Sequence, residues 1–181
     1  MKKTLEDKIS DKIVNAFINN KLISPIPDKF TKKLPNADKF RKLCESKLSE
    51  PVIGYKAGGT FIPLMKKLKE KEPFYASVYK KNFLKSGNKL KVNNFIIGME
   101  VEVSYLIKKS FFASKKVITK KNITKFISHI APCIEVIGYR QRKKGVSSFG
   151  DLCSDFGGNV KFFIGRKKKY KNIKTSNLNA T

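Results

Sequence analysis

The segment IIGMEVEVSYLI, residues 96–107, places two glutamates inside an otherwise apolar run. Successive side chains of a β-strand point to opposite faces, so Glu100 and Glu102 share one face. The alternate apolar side chains are predicted to point into a core, and they are Ile97, Met99, Val101, Val103 and Tyr105. Two like charges on one face of a buried strand repel each other and are costly to desolvate, which favours a bound cation. The alternative is an edge strand whose polar face is solvated.

The charge balance of the chain raises the question of a nucleic-acid partner. The 181 residues include 40 lysines and arginines against 14 acidic residues, for a formal net charge of +26. Clustered basic residues would release counterions from a phosphate backbone. The basic residues here are mostly lysine and are spread along the whole chain, and we find no RNP-type aromatic motif and no Cys/His finger. We therefore expect a compositional drift that fills exposed positions with lysine, and no nucleic-acid partner.

The cysteines and the N-terminal segment bear on the cellular compartment. Cys44, Cys133 and Cys153 are odd in number, far apart and without CxxC spacing, which favours free thiols in a reducing compartment. The N-terminal segment has acidic residues where a signal peptide needs an apolar core. No run of about 18 uncharged apolar residues is present, so we expect no membrane partner. Together these features predict a cytoplasmic protein.

Hydrophobic periodicity predicts helices first and strands after them. Residues 4–22 show helical spacing with Thr4 as the cap, and residues 38–48 can form a second helix. Further helices are predicted at 61–70, at 122–130 and in the segment SSFGDLCSDFGGN, and strands at 51–60, 92–108, 133–139 and 160–165. This order indicates an α+β fold with a largely antiparallel sheet.

A third glutamate, Glu135, lies on a predicted strand between Ile134 and Val136. With Glu100 and Glu102 it could form a site for a hard cation. Oxygen ligands suit Mg²⁺ or Mn²⁺, which keep bound waters that a substrate can replace. Arg140 lies five residues beyond Glu135 and could pair with it, or it could be an ordinary surface arginine.

Lys56, in the segment GYKAGGT, differs from the other lysines in its surroundings. It lies between a predicted core strand and a turn, and its neighbours include Gly54, Gly58 and Gly59. Glycines permit a close approach of the backbone to a ligand. A lysine held there could stabilise an enolate or transfer a proton, and the alternative is one more surface lysine.

Five segments occur in an order that resembles the 2-keto-4-pentenoate hydratase family of the fumarylacetoacetate hydrolase superfamily. They are GYKAGGT, EPFYASVY, GMEVEVSYLI, APCIEVIGYR and DLCSDFGGNVKFFIG. The resemblance covers about residues 5 to 165. It implies N-terminal helices followed by a mixed, mainly antiparallel β-roll of the fumarylacetoacetate hydrolase C-terminal domain type, with a divalent-metal site. Members hydrate 2-hydroxydienoates to 4-hydroxy-2-oxo acids, and close relatives decarboxylate related 2-oxo acids.

The resemblance also assigns roles to individual residues. The family's metal-binding glutamates match Glu100, Glu102 and Glu135, and its catalytic lysine in G-x-K-x-G matches Lys56. Arg140 matches the arginine that ends an E-V-x-x-S-R motif, in which a tyrosine replaces the serine here. Asp155 matches the aspartate of an A-D-N motif, in which Phe156 stands in place of the asparagine. The residues predicted to bind substrate or to support the metal site are Gly59, Thr60, Arg140 and Asp155.

Family members extend beyond the point where this sequence ends, with strands that close the roll. The resemblance therefore implies a roll that is incomplete at its C-terminal end, and unpaired sheet edges invite association into a homo-oligomer. The expected organisation is a helical segment at 1–50 packed on the same domain, a β-roll domain at 51–166 and a basic tail at 167–181.

Three functions follow from these observations. The leading hypothesis is a metal-dependent hydratase whose small-molecule 2-oxo acid substrate chelates Mg²⁺ or Mn²⁺ through its carboxylate and 2-oxo oxygen. The second is a truncated, non-catalytic remnant or interaction protein of the same fold. The third is a basic nucleic-acid-binding protein, whose binding would fall steeply with salt.

Overall fold

The computed structural model describes residues 3–85, 87–115 and 117–171. Its α-helices are α1 (Leu5–Asn19), α2 (Asp28–Thr31), α3 (Leu34–Ser46), α4 (Ile62–Lys67), α5 (Lys109–Phe112) and α6 (Phe149–Ser154). Its strands are β1 (Val52–Gly58), β2 (Phe74–Tyr79), β3 (Phe83–Leu84), β4 (Ile96–Ile107), β5 (Ile127–Gly138), β6 (Asn159–Ile164) and β7 (Lys168–Lys169). Short 3-10 turns occur at Lys80–Asn82, Ile123–Phe126 and Phe156–Gly158.

Helix α1 begins at the predicted cap. The hydroxyl of Thr4 accepts a hydrogen bond from the backbone N–H of Asp7 at 3.1 Å, and the carboxylate of Asp7 accepts one from the backbone N–H of Thr4 at 3.3 Å. This reciprocal pair satisfies two donors that the first turn would otherwise leave unpaired. The apolar stripe of α1 then packs with α3 in a core whose buried members are Ile13, Val14, Phe17, Ile26, Phe40, Cys44, Tyr79 and Phe156.

The strands form two sheets. Strands β1 and β2 make an antiparallel pair. The larger sheet has the order β3-β6-β5-β4, and β7 also pairs with β5. Within the described residues the β3–β6 pairing is parallel and the other pairings are antiparallel. The α+β fold with a mixed, mainly antiparallel sheet that the sequence predicts is therefore confirmed.

The predicted helix over residues 122–130 is wrong. Ile123–Phe126 forms a 3-10 turn, and β5 begins at Ile127, so His129 lies exposed on a strand. Strand β5 is rich in isoleucine and pairs with β4 along nearly its whole length. The side-chain packing and ladder hydrogen bonds of that long pairing outweigh a weak local helical pattern.

Strand β4 is confirmed, but the burial of its apolar face is opposite to the prediction. Met99 and Val101 are 74% and 71% exposed, and Tyr105 is 41% exposed. Among the described residues, strand β4 lies at the edge of the larger sheet and pairs there with β5. The smaller sheet reaches the opposite, carboxylate-bearing face, where Lys56 of β1 contacts Glu135. The expectation that the apolar side chains of β4 point into a core is therefore wrong.

The start of the predicted basic tail is ordered as a strand. Lys168–Lys169 pairs with His129 and Ile130 of β5, whereas the sequence suggested an irregular segment from residue 167. The remainder of that predicted tail, residues 172–181, lies outside the described residues.

The three cysteines are free, as their spacing predicts, and the structure shows that all three are buried. Within the described parts of the chain, no helix combines the length and apolar character needed to cross a membrane.

Candidate metal site

The register of β4 and β5 brings the three glutamates together. Glu100 lies directly opposite Glu135, and Glu102 follows two residues along the same face of β4. One carboxylate oxygen from each residue lies within 4.8 Å of the others. Glu135 is buried, Glu102 is half-buried and Glu100 is exposed. Like charges directly opposite each other destabilise a sheet, so this arrangement favours a cation between the carboxylates.

Lys56 reaches the glutamates from the other sheet. Its Nζ donates a hydrogen bond to Oε1 of Glu135 at 2.7 Å, and the two side chains are 10% and 2% exposed. When all four groups are ionised, one ammonium against three carboxylates leaves two formal negative charges. A divalent cation balances that excess, and an all-oxygen donor set is the one that Mg²⁺ and Mn²⁺ prefer. The residues present therefore fit the predicted metal.

The electrostatics of the cluster reflect its burial. Burial raises the pKa of Glu135 to about 7, assisted by repulsion from Glu100 and Glu102 and opposed by Lys56. Burial, followed by repulsion from Glu100, also raises the pKa of Glu102. A proton and a metal ion compete for the same carboxylate, so the affinity for metal is expected to fall as the pH drops below about 7.

The metal-free protein is expected to lose stability as the pH rises from about 4.5 to about 7. Over this range the folded state keeps a proton on Glu135, whereas the unfolded state, with the ordinary pKa of 4.5, has lost it. The folded state then binds more protons, so the free energy of unfolding decreases with pH. Urea titrations in a chelator at several pH values measure this slope for wild type and for Glu135→Gln. If the free energy of unfolding had the same pH dependence in the two proteins, the raised pKa of Glu135 would be contradicted.

The glycine turn after β1 borders a small cavity beside the cluster. Gly59 has a φ of +73°, and a Cβ there would lie 2.4 Å from the ring of Phe149. The cavity is about 60 Å³ and is lined in part by Lys56, Gly59 and Glu100. Thr60 is exposed in the loop that precedes α4. The substrate-binding roles of Gly59 and Thr60 stay predictions.

Arg140 pairs with Asp155 and not with Glu135, whose partner is Lys56. Nη1 of Arg140 donates to Oδ1 of Asp155 at 2.8 Å, and the backbone N–H of Arg140 donates to Oδ2 at 2.6 Å. Nη2 of Arg140 also donates to the backbone carbonyl of Asn159 at 3.2 Å. Burial raises the pKa of Asp155, and Arg140 opposes that effect. The ion pair ties the end of β5 to the turn after α6, and a role for either side chain in substrate binding stays a prediction.

Cys133 is a neighbour of the cluster that the sequence analysis treated only as a free thiol. It lies opposite Glu102 in the strand register and is buried. Burial raises its pKa to about 11, with Glu135 and Glu102 adding to the effect, so the thiol stays protonated at neutral pH. The signal was present in the sequence, because Cys133 precedes Glu135 by two residues and therefore shares its face of β5.

Comparisons with known proteins place the fold. No protein-family model matches the sequence, and no curated protein matches it significantly. Two structures of 4-oxalocrotonate decarboxylase from Pseudomonas putida G7 are similar, one complexed with magnesium and adipate and the other with calcium and acetate. The TM-scores are 0.69 and 0.66, each at 17% identity, over 93% of this chain. The chain spans 66% and 65% of the length of those proteins, slightly less than two thirds. At this identity the likeness shows the fold alone, which is fumarylacetoacetate hydrolase-like.

Proposed function

We propose that the chain is a metal-dependent lyase of 2-oxo acids, and that its reaction is the hydration of 2-hydroxydienoates or 2-oxo-enoic acids. The observation that carries the proposal is the group of three carboxylates within 4.8 Å, with Lys56 hydrogen-bonded to the most buried of them. The likeness to decarboxylase structures that were complexed with divalent cations and carboxylates supports it.

In this proposal Glu100, Glu102 and Glu135 would hold Mg²⁺ or Mn²⁺. A bound divalent cation would supply Lewis-acid polarisation of the substrate's 2-oxo oxygen. The exposed side of the cluster, at Glu100, is the side from which a small carboxylic acid can approach. The buried side, at Glu135 and Lys56, is screened from water, so the charges there act more strongly on a bound substrate than they would in solvent.

Lys56 would provide the proton-transfer group. Hydration moves a proton onto the carbon skeleton and adds water across a double bond, so the site needs a group that holds a proton near the substrate. The hydrogen bond of 2.7 Å to Glu135 fixes the position of the ammonium. The same positive charge would stabilise negative charge that develops on the substrate oxygen.

Decarboxylation of a 2-oxo acid is the second candidate reaction. The likeness to 4-oxalocrotonate decarboxylase favours it. Both reactions use the same chelation of a 2-oxo acid and differ in which bond is made or broken. The products separate them, because decarboxylation releases CO₂ and hydration does not.

A cooperative thermal melt is expected to shift upward on addition of Mg²⁺ or Mn²⁺, and further when pyruvate is added as a 2-oxo acid. A ligand present at 100 times its Kd stabilises the folded state by about 2.7 kcal/mol. For a chain of this size that corresponds to a shift of roughly 5–10 °C. Since the net charge of +26 makes the protein sensitive to ionic strength, the control is NaCl at matched ionic strength.

An assay of 2-hydroxydienoate turnover, in which the loss of the dienol absorbance is monitored, completes the test. We expect turnover that depends on the divalent cation and stops in a chelator. A melt that does not respond to metal, together with no turnover of any 2-oxo acid, would contradict the proposal and favour a non-catalytic protein of this fold.

A further inference from the structure

A cavity of about 940 Å³ lies between the start of α3, the loop after α4 and the segment before α6. Lysines make up much of its wall, and they are Lys32, Lys33, Lys69, Lys71 and Lys144. Its volume is within the range of roughly 300–1,000 Å³ that small-molecule sites have. The described lining includes neither Lys56 nor any of the three clustered glutamates, so this cavity is separate from the candidate metal site.

Most of these lysines lack a counter-ion among the described residues. The exception is Lys144, whose Nζ lies 2.8 Å from a carboxylate oxygen of Asp28 and 2.9 Å from one of Asp151. The other four lysines are exposed and form no ion pair within the described parts of the chain. They come from two separate segments, 32–33 and 69–71. Positive charges that converge on a concave surface attract anions more strongly than the same charges spread over a flat one.

Acidic residues in the wall only partly offset this charge. Asp28 is bound to Lys144, and the carboxylate of Glu70 accepts a hydrogen bond from the backbone N–H of Phe149 at 3.1 Å. Glu72 is the third acidic residue of the described lining. Five lysines against three carboxylates leave an excess of positive charge in the cavity.

The backbone at the start of α3 adds to the positive potential of the cavity. Helix α3 begins at Leu34, which lines the wall, and the preceding Lys33 gives no side-chain capping hydrogen bond. The first turn of α3 also contains no acidic residue, whereas the first turns of α1 and α6 each contain one within a capping box. The amino end of a helix carries a partial positive charge, which here is not offset by an acidic side chain of its own first turn.

We propose that this cavity binds an organic phosphate, a small molecule of about nucleotide size with at least two negative charges. Lysine binds phosphate as a point charge, whereas bidentate recognition of a carboxylate uses arginine, and the described lining contains no arginine. Leu34, Pro35 and Leu68 give the wall an apolar part that can contact the uncharged body of the ligand. The site does not depend on the reaction proposed above, since none of these residues belongs to the metal cluster.

Calorimetric titration of the full chain with ATP, tripolyphosphate and adenosine is the first test. The buffer is freed of metal with a chelating resin, because the empty cluster of glutamates then repels anions and a soluble polycarboxylate chelator does not compete. We expect saturable binding of one ATP per chain, weaker binding of tripolyphosphate, which lacks the apolar body, and no measurable binding of adenosine, which lacks the charge.

A double variant separates this site from the general attraction of anions to a chain with a net charge of +26. Lys69 has a φ of +56°, a conformation that favours glycine, so Lys69→Gly should not lower the melting temperature. Combined with Lys71→Gln, it should weaken ATP binding at least about tenfold, because two charged hydrogen-bond donors are lost. The matched control is Lys120→Gln with Lys121→Gln, which removes the same charge at exposed positions outside the cavity.

The control variant should bind ATP as wild type does. Equal losses of affinity in the two double variants would mean that only net charge attracts the nucleotide, and would overturn the proposal. Wild-type protein that binds no ATP saturably, or that binds ATP no more tightly than tripolyphosphate, would overturn it as well. Thermal melts of both variants, at or above the wild-type temperature for Lys69→Gly with Lys71→Gln, exclude unfolding as the cause of lost binding.

Discussion

Replacing Glu100 by glutamine is expected to lower the affinity for Mg²⁺ or Mn²⁺ by at least about 100-fold and to abolish turnover with it. Even residues that only support a metal ligand change affinity by about 10–100-fold, and Glu100 would be a direct ligand. The substitution removes one negative charge from a group of three carboxylates within 4.8 Å. Because Glu100 is exposed, the fold should be retained.

Titration calorimetry of wild type and Glu100→Gln measures this effect, with Glu72→Gln as the matched control. Glu72 is also exposed but is not among the three clustered glutamates. The metal-free Glu100→Gln protein should be slightly more stable than wild type, by about 0.2–1 kcal/mol, because the repulsion across the strand pair is relieved. Retained metal affinity in Glu100→Gln would exclude this cluster as the metal site.

Replacing Asp155 by alanine is expected to destabilise the fold by about 3–5 kcal/mol. The carboxylate of Asp155 accepts one hydrogen bond from the guanidinium of Arg140 and one from its backbone N–H. Without that carboxylate, the guanidinium, which is 1% exposed, would lose its ion-pair partner. It would remain buried between the rings of Phe17 and Phe95, 4.9 and 5.3 Å from their centroids. Aromatic faces attract a cation but do not replace the lost acceptor, so the charge stays largely uncompensated.

Urea denaturation of wild type and Asp155→Ala gives the difference in the free energy of unfolding. The control is Asp28→Ala, which breaks the ion pair with Lys144 at a carboxylate that is 67% exposed. An exposed pair contributes about 0–1 kcal/mol, so the control should change little. A loss for Asp155→Ala no larger than that of the control would mean that the buried pair does not hold β5 and the turn after α6 together.

Local sequence signals predicted the elements that carry their own stabilisation. Helix α1 has a capping box at Thr4 and a continuous apolar stripe, and both act within a few residues. Strand β4 alternates between apolar residues and polar or small residues from Ile97 to Tyr105, which identifies the strand and the shared face of Glu100 and Glu102. The segment 122–130 has no such consistent signal, so its conformation depends on pairing with β4, and the local prediction of a helix failed there.

The pairing of charges could not be predicted from the sequence in the same way. Arg140 lies near Glu135 in sequence, yet Glu135 pairs with Lys56, which is 79 residues away. Strand β5 ends at Gly138, so Arg140 lies beyond the strand, and its nearness to Glu135 in sequence does not set which carboxylate it meets. Asp155 became its partner because the turn after α6 packs against the end of β5.

The sequence by itself determined the helix-then-strand order, the shared face of Glu100 and Glu102, and Glu135 and Lys56 as candidates for chemistry. These follow from periodicity and residue type, which act over a few neighbouring positions. The tertiary structure alone decided that β4 pairs with β5 in the register that sets Glu100 opposite Glu135, and that Lys56 completes the cluster from the second sheet. It also decided that the apolar face of β4 is exposed, because alternation distinguishes two faces of a strand but not which one the rest of the chain covers.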